Sequence, residues 1–268
     1  MCRDASRERV LERSGIVVDN ELLTDTLALL YVKSPDIARC IQPGQFIHLA
    51  VPGLEAHILR RPFSVMKVDV QDGLLTILYQ AVGTVSNFMR VLPKGGVVNL
   101  LGPIGKSWIE TFDMLPNRAL LVGGGVGAAP LYMLAEFLTQ KGCSFDLVLG
   151  AKDKKGLVCL PHYTNLLIGE PLCTTDDGSY GIAGFTTQAV QELLEKNIYD
   201  YVACCGPEPM MKGISTLTFT KGIPTYVSLE RRMACGIGAC LSCVVDTTSG
   251  KRRACIDGPI FDASEVMW

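Results

Sequence analysis

No surplus of charge is present: 25 Lys plus Arg stand against 27 Asp plus Glu, with no long basic run, which excludes the electrostatic footprint of a nucleic-acid binder. Also missing is any apolar run long enough to span a membrane. The first residues, Met1-Cys2-Arg3-Asp4-Ala5-Ser6-Arg7-Glu8-Arg9, are charged where a signal peptide has its apolar core. A soluble cytoplasmic protein with no membrane partner is therefore expected. Histidine is scarce, and His48, His57 and His162 read as structural or surface residues rather than ligands. A disulfide framework is not expected either. Seven of the 11 cysteines (Cys2, Cys40, Cys143, Cys159, Cys173, Cys204 and Cys205) lie scattered, mostly inside apolar runs, where a free thiol packs as a small hydrophobe in a reducing compartment.

The other four cysteines are concentrated near the C-terminus. Cys235, Cys240 and Cys243 follow a C-x4-C-x2-C spacing, and Cys255 comes after eleven further residues. Three thiols in one loop and a fourth beyond it match the start of the pattern that holds a plant-type 2Fe-2S cluster. Gly236 and Gly238 let such a loop turn sharply and bring amide N–H groups near the sulfurs. A four-thiolate zinc site is the alternative, although structural zinc usually takes two short knuckles separated by a longer loop.

The first part of the chain, residues 7–112, is written in short runs of Val, Ile, Leu and Thr. Examples are Leu22 to Val32, Gln45 to Val51, Phe63 to Val68 and Leu74 to Tyr79, broken by Pro43-Gly44, Pro52-Gly53 and Asp72-Gly73. That spacing predicts an antiparallel barrel or sandwich. After Gly83-Thr84, the residues Val85, Phe88, Met89 and Leu92 recur at helical spacing, predicting a short helix that opens behind a glycine. Arg61-Pro62-Phe63-Ser64 sets a cation, a rigid φ, an aromatic ring and a hydroxyl side by side. Arg61 could pair with a pyrophosphate and Ser64 could hydrogen-bond a flavin or phosphate oxygen; a surface Arg beside a strand-starting Pro is the plainer reading.

Residues 115–227 alternate differently. The apolar run Arg118 to Val122 enters Gly123-Gly124-Gly125-Val126-Gly127-Ala128-Ala129-Pro130 and then a helical pattern through Leu131, Leu134, Ala135 and Leu138. Strand, glycine loop and helix make a nucleotide-binding turn, in which amides and the helix dipole face a pyrophosphate. Further strands at Asp146 to Gly150 and Tyr201 to Cys204, with a helix over Thr186 to Glu195 between them, predict a doubly wound parallel sheet. Cys205-Gly206-Pro207 follows the last of these strands, at the carboxyl edge where such sheets bind ligands. No Arg follows Gly150 to grip a 2′-phosphate, although Lys152, Lys154 and Lys155 sit nearby, so NAD is favoured over NADP.

Arg61-Pro62-x-Ser64, the strand carrying Leu78 and Tyr79, and Gly83-Thr84 at a helix start resemble the flavin signature of the ferredoxin–NADP reductase superfamily, and Cys205-Gly206-Pro207 resembles its nicotinamide motif. The stretch Leu229 to Cys243, with Cys255 and the tail Asp257-Gly258-Pro259-Ile260-Phe261, resembles more closely the electron transfer subunits of NAD-dependent, class 1B dihydroorotate dehydrogenases. This resemblance runs the length of the chain. It implies an FAD-binding β barrel over 7–112, an NAD-binding α/β domain over 115–227 and a small 2Fe-2S lobe over 228–268. Leu78, Tyr79 and Gln80 would line the flavin, Gly83 and Thr84 would meet its pyrophosphate, and Gly123, Gly124, Gly125 and Gly127 with Cys205, Gly206 and Pro207 would hold NAD. Cys235, Cys240, Cys243 and Cys255 would ligate the cluster. Gln80 stands where relatives usually carry Arg or Lys, and Gly83 runs straight into Thr84 where they have Gly-x-Gly-Thr. The resemblance further implies a partner, an FMN-containing catalytic subunit that oxidises dihydroorotate in pyrimidine synthesis, joined in a heterotetramer of two of each. No acid–base residue is then demanded of this chain. The input subunit of a sulfhydrogenase or an NADPH-dependent ferredoxin oxidoreductase, and a zinc-binding interaction module, are the competing readings.

Overall fold

Alternation of apolar residues builds the first half. In the computed structural model, which describes residues 10–54, 56–166 and 169–268, strands β1 (Val10–Leu22), β2 (Leu27–Lys33), β3 (Phe46–Ala50), β4 (Arg61–Ser64), β5 (Lys67–Asp69), β6 (Leu74–Gln80) and β7 (Val97–Ile104) form one antiparallel sheet. The strand order is β4-β3-β7-β1-β2-β6-β5. Every second side chain of its strands, among them Ala28, Leu30, Val32, Ile47, Leu49, Leu75, Ile77, Val98 and Leu100, fills one core. The intervening residues Leu29 and Leu78 point the other way, into a core shared with the second domain. The charged residues 1–9, with Cys2 and the first residues of the expected barrel domain, lie outside the described residues.

Two of the expected strands are each divided. Leu22 to Val32 is interrupted because the Thr24 hydroxyl accepts the N–H groups of Thr26 and Leu27 at 3.3 and 3.0 Å, closing a turn between β1 and β2. Phe63 to Val68 becomes β4 and β5, which sit at opposite edges of the sheet. The short helix behind Gly83 is present as α2 (Thr84–Met89), after a four-residue α1 (Pro35–Ala38).

The second half is a parallel sheet buried on both faces, so its strands read as continuous apolar runs. Its order is β11 (Ile182–Ala183), β10 (Leu172–Thr175), β9 (Ser144–Ala151), β8 (Arg118–Gly124), β12 (Tyr201–Cys205), β13 (Thr225–Ser228) and β16 (Ile260–Asp262), with only β16 antiparallel. Ala119, Leu121, Leu149 and Ala203 face α3 (Ala129–Gln140), whereas Leu120, Val122, Val148, Val202 and Cys204 face α5 (Thr186–Lys196) and α6 (Glu208–Phe219). A four-residue α4 (Leu160–Tyr163) completes the helices. Among the described residues no helix is long and apolar enough to cross a membrane.

Residues after β13 form the cysteine loop and the hairpin of β14 (Val244–Thr247) and β15 (Gly250–Arg253), then return as β16 to pair with β13. Cys243, Val245, Ala254 and Cys255 are buried in the same core as Phe46 and Ile104 of the barrel. Trp108 pins the two halves together: it is fully buried, and its indole N–H donates to the Pro130 carbonyl at the start of α3, 3.2 Å away.

Candidate functional site: a two-walled cleft beside a cysteine loop

The carboxyl ends of the parallel strands fall in register, Gly123 opposite Cys205 and Gly150 opposite Thr174. Between that edge and the barrel lies a cleft of about 1490 Å³, larger than the roughly 300–1,000 Å³ typical of a site for one small molecule. Arg61, Pro62, Phe63, Ser64, Leu78, Tyr79, Gln80, Gly83 and Thr84 line its barrel wall. Gly124, Gly125, Gly127, Cys205, Gly206 and Pro207 line the opposite wall. Residues predicted from two distant stretches of sequence are thus brought face to face. Gly123 alone among them does not line the cleft. It is buried at the end of β8, where a Cβ would stand 2.7 Å from the Cα of Ala128, so the tight turn into α3 needs a glycine there.

On the barrel wall, the Arg61 guanidinium donates to the Leu59 carbonyl at 2.6 Å while the side chain borders the cleft, where an anion can meet it. Tyr79 is almost wholly buried. Its hydroxyl donates to Asn20 Oδ1 at 3.1 Å, so the hydroxyl belongs to the barrel while the residue borders the cleft. Ser86 caps α2, its hydroxyl accepting the N–H groups of Val82 and Gly83, both at 3.0 Å, which fixes the turn carrying Gly83 and Thr84.

On the nucleotide wall the chain bends through a 3₁₀ turn, Gly125–Ala128, straight into α3. Gly127 packs so tightly on the start of the Cys-Gly-Pro segment that a Cβ there would collide with the Cys205 carbonyl. Backbone contact therefore joins the two nucleotide motifs. Burial pushes the Cys205 thiol up to about 12, and its S–H points to the Ser228 carbonyl at 3.7 Å, so at neutral pH it is a protonated wall residue and not a nucleophile. Of the three cations expected near the nucleotide, Lys152 and Lys155 border the cleft, whereas Lys154 does not and sets its ammonium over the Tyr180 ring, 5.2 Å from the centroid. Sequence reasoning missed Thr174 within β10 and Asp176 just beyond it, Phe185 before α5, and Ser228, Glu230 and Met233 leading into the cysteine loop, all of which line the cleft. The only signal for the first two was the short Leu172–Thr175 run, too brief to read as a strand unaided.

Cys235, Cys240 and Cys243 share the loop, and Cys255, which follows the β14–β15 hairpin, returns beside Cys243. Burial opposes ionisation of Cys235, but the N–H groups of Ile237 and Cys240, each 3.4 Å from its sulfur, outweigh that and lower the thiol to about 6. Cys243 and Cys255 are buried against each other. Desolvation first, and then the Cys243 sulfur, push Cys255 up to about 12. Among the described residues no group of three or more His, Cys, Asp or Glu is arranged to hold a single metal ion. The donor set does fit an iron–sulfur group: soft sulfur ligands in one loop, with backbone N–H groups directed at a sulfur. Gly236 and Gly238 take left-handed conformations, φ +67° and +81°, and Leu241 adopts φ 57° without being glycine, a strained turn between Cys240 and Cys243.

His48 is the unexpected neighbour of this loop. It sits on β3 with no exposed surface, neither ring nitrogen has a hydrogen-bond partner among the described residues, and burial with the Arg60 charge nearby lowers it to about 4. Nothing in the sequence around His48 pointed to this position.

A family model described as the iron-sulfur cluster binding domain of dihydroorotate dehydrogenase B matches residues 230–267. Relatives named dihydroorotate dehydrogenase B (NAD(+)), electron transfer subunit, extend the similarity. The protein from Fusobacterium nucleatum is 35% identical over 254 residues, covering 93% of this chain and 96% of its own. That from Desulforamulus reducens is 36% identical over 241 residues, covering 88% and 90%. Among solved structures, a chain of the NADH-dependent reduced ferredoxin-NADP oxidoreductase superposes with a TM-score of 0.85 at 29% identity, over 96% of this chain and 91% of that one. A ferredoxin NADP+ reductase from Neisseria gonorrhoeae with bound FAD and NADP shares the fold, with a TM-score of 0.65 at 17% identity, over 84% and 95%. With its cysteine loop, its two-walled cleft and relatives matched over most of their length, the chain belongs to the family of electron transfer subunits of dihydroorotate dehydrogenase B (NAD(+)).

Proposed function

We propose that this chain carries electrons from the FMN of a separate catalytic subunit, which oxidises dihydroorotate to orotate, through a 2Fe-2S cluster and FAD to NAD+. The observation that carries the reading is the single cleft that sets Arg61-Pro62-Phe63-Ser64 opposite Gly124-Gly125 and Cys205-Gly206-Pro207, with Met233, two residues before the first cluster thiol, on its rim. When bound, the flavin exchanges single electrons with an iron–sulfur centre and a hydride with nicotinamide, which no side chain can do.

The chain's own part is placement. Arg61 and Gly83-Thr84 bind the flavin's pyrophosphate, Ser64 and Gln80 hold its ring system, and the glycine loop with Lys152 and Lys155 binds the dinucleotide. Gly206 and Pro207 bring the nicotinamide against the flavin while the protonated Cys205 excludes water. The catalytic subunit docks on the cysteine loop, two copies of each forming a heterotetramer, in the cytoplasm that suits ten described cysteines of which none is in a disulfide.

The TM-score of 0.85 to the ferredoxin-NADP oxidoreductase chain favours a second reading, an NADPH- and ferredoxin-linked input subunit. One experiment separates them. Coexpression with the dihydroorotate-oxidising subunit should yield a stable complex that reduces NAD+ when given dihydroorotate. A chain that ignores that subunit but oxidises NADPH with ferredoxin as acceptor would replace the first reading by the second.

A further inference from the structure

His48 occupies a place that polar groups seldom hold without a reason. It lies mid-strand in β3, paired with Pro62 of the flavin motif on one side and Leu101 of β7 on the other. Its side chain has no exposed surface, and both ring nitrogens are without a partner among the described residues. Arg60, a cation whose charge acts on the ring, is already engaged by the Asn99 carbonyl and side chain. Phe46 stands tilted to the imidazole at 6.1 Å and offers no acceptor in the ring plane. A neutral imidazole owns one N–H and one lone pair, and leaving both buried and unmade costs free energy that packing alone would recover with a leucine.

The ring is aimed at the cysteine loop. A Cβ built on Gly236 would stand 2.8 Å from His48 Nδ1 and 2.9 Å from Cε1, so this edge of the imidazole lies on the backbone directly after Cys235. Glycine is required there twice over, by its φ of +67° and by the closeness of the ring. A buried donor without a partner, pressed against the first residue of a loop built to hold a sulfur-rich group, identifies what it is waiting for.

We propose that His48 is a positioning residue that donates an N–H hydrogen bond from the flavin barrel to the sulfur of the group held by the cysteine loop. The inference rests on that group being a 2Fe-2S cluster, as in the function proposed above. Hydrogen bonds to cluster sulfur stabilise the extra negative charge of the reduced state and raise its potential. His48 would thus set how readily the cluster accepts an electron. It would also tie the cluster to the strand beside Arg61-Pro62-Phe63-Ser64, keeping the two redox sites in fixed relation.

The scarcity of histidine makes the test selective, because His57 is exposed and His162 lies on α4 of the nucleotide domain. The full chain with its catalytic subunit is labelled with ¹⁵N-histidine, reduced with dithionite, and its cluster signal is read by pulsed EPR. A ¹⁵N coupling is expected in the wild type, lost in His48→Phe and kept when His57 and His162 are replaced by Gln. A redox titration should place the His48→Phe cluster at a lower midpoint potential, with His48→Asn shifted less. A cluster signal without histidine coupling in the wild type would overturn the proposal whatever the variants do, as would an unchanged potential in a His48→Phe protein that keeps its iron. Absence of any 2Fe-2S signal from the iron-loaded wild type would overturn this proposal and the function beneath it.

Discussion

Gly127 shows how a single missing side chain can carry function. The glycine loop and the Cys205-Gly206-Pro207 segment touch through bare backbone, and a methyl group at 127 would meet the Cys205 carbonyl and the Gly206 Cα. Gly127→Ala should therefore wedge the two nucleotide motifs apart while leaving the barrel alone. We expect the KM for NADH in reduction of an artificial acceptor to rise by about tenfold or more, a loss of roughly 1.4 kcal/mol of binding, with the flavin still bound. An unchanged KM would show that the loop does not contact the dinucleotide. The four cluster thiols make a parallel case. Replacing any one of Cys235, Cys240, Cys243 or Cys255 with Ser should bring iron and labile sulfide from about two of each per chain towards none, and abolish dihydroorotate-dependent NAD+ reduction. NADH oxidation by artificial acceptors should survive. If Cys40→Ser or Cys143→Ser bleached the protein equally, the ligand assignment would fail.

At the scale of elements, the legible parts were those whose chemistry is local. The Arg118–Gly124 strand, its glycine loop and α3 could be read because a buried parallel strand and a tight βα turn each demand particular residue types within a few positions. The short β10 and β11 strands could not, since a four-residue and a two-residue strand are defined by pairing with β9 and with each other and not by their own pattern. Nor could the split between β4 and β5, at opposite edges of the sheet, be seen in a run that looks continuous from Phe63 to Val68. His48 is the same lesson at the site: its meaning depends on Gly236, far away in sequence, and no local pattern announces such a contact. Trp108 likewise reads as one more aromatic, yet it fills the seam between barrel and nucleotide domain. Trp108→Leu should leave a cavity there and strip the Pro130 carbonyl of its donor, costing about 3 kcal/mol or more. A lowered urea midpoint of the holoprotein would register this, and a midpoint within error of the wild type would show that the seam adapts around the smaller side chain.

For the whole molecule, the side of the cysteine loop that faces solvent is where we infer that a partner docks. On the same inference, an electron from another subunit enters close to the cysteine loop, where Cys240 is exposed while Cys243 and Cys255 are buried on the molecule's own side. On the outer side of the loop Ile237 is 50% exposed and Leu241 62% exposed, with Cys240 exposed between them. Leu241 is held outward by a left-handed backbone that a leucine adopts only under constraint, so its exposure is imposed by the loop's shape and not a relaxed surface accident. Two large apolar side chains around a solvent-facing thiol have no core of their own to fill, and burial against a catalytic subunit gives them one. A single charge at this centre should therefore break the complex without disturbing the site behind it. Ile237→Glu is expected to elute separately from the catalytic subunit on a sizing column and to lose dihydroorotate-dependent NAD+ reduction, while the visible absorbance of flavin and cluster stays as in the wild type. A bleached cluster with the complex intact would mean that Ile237 packs beneath the loop and that the partner binds elsewhere.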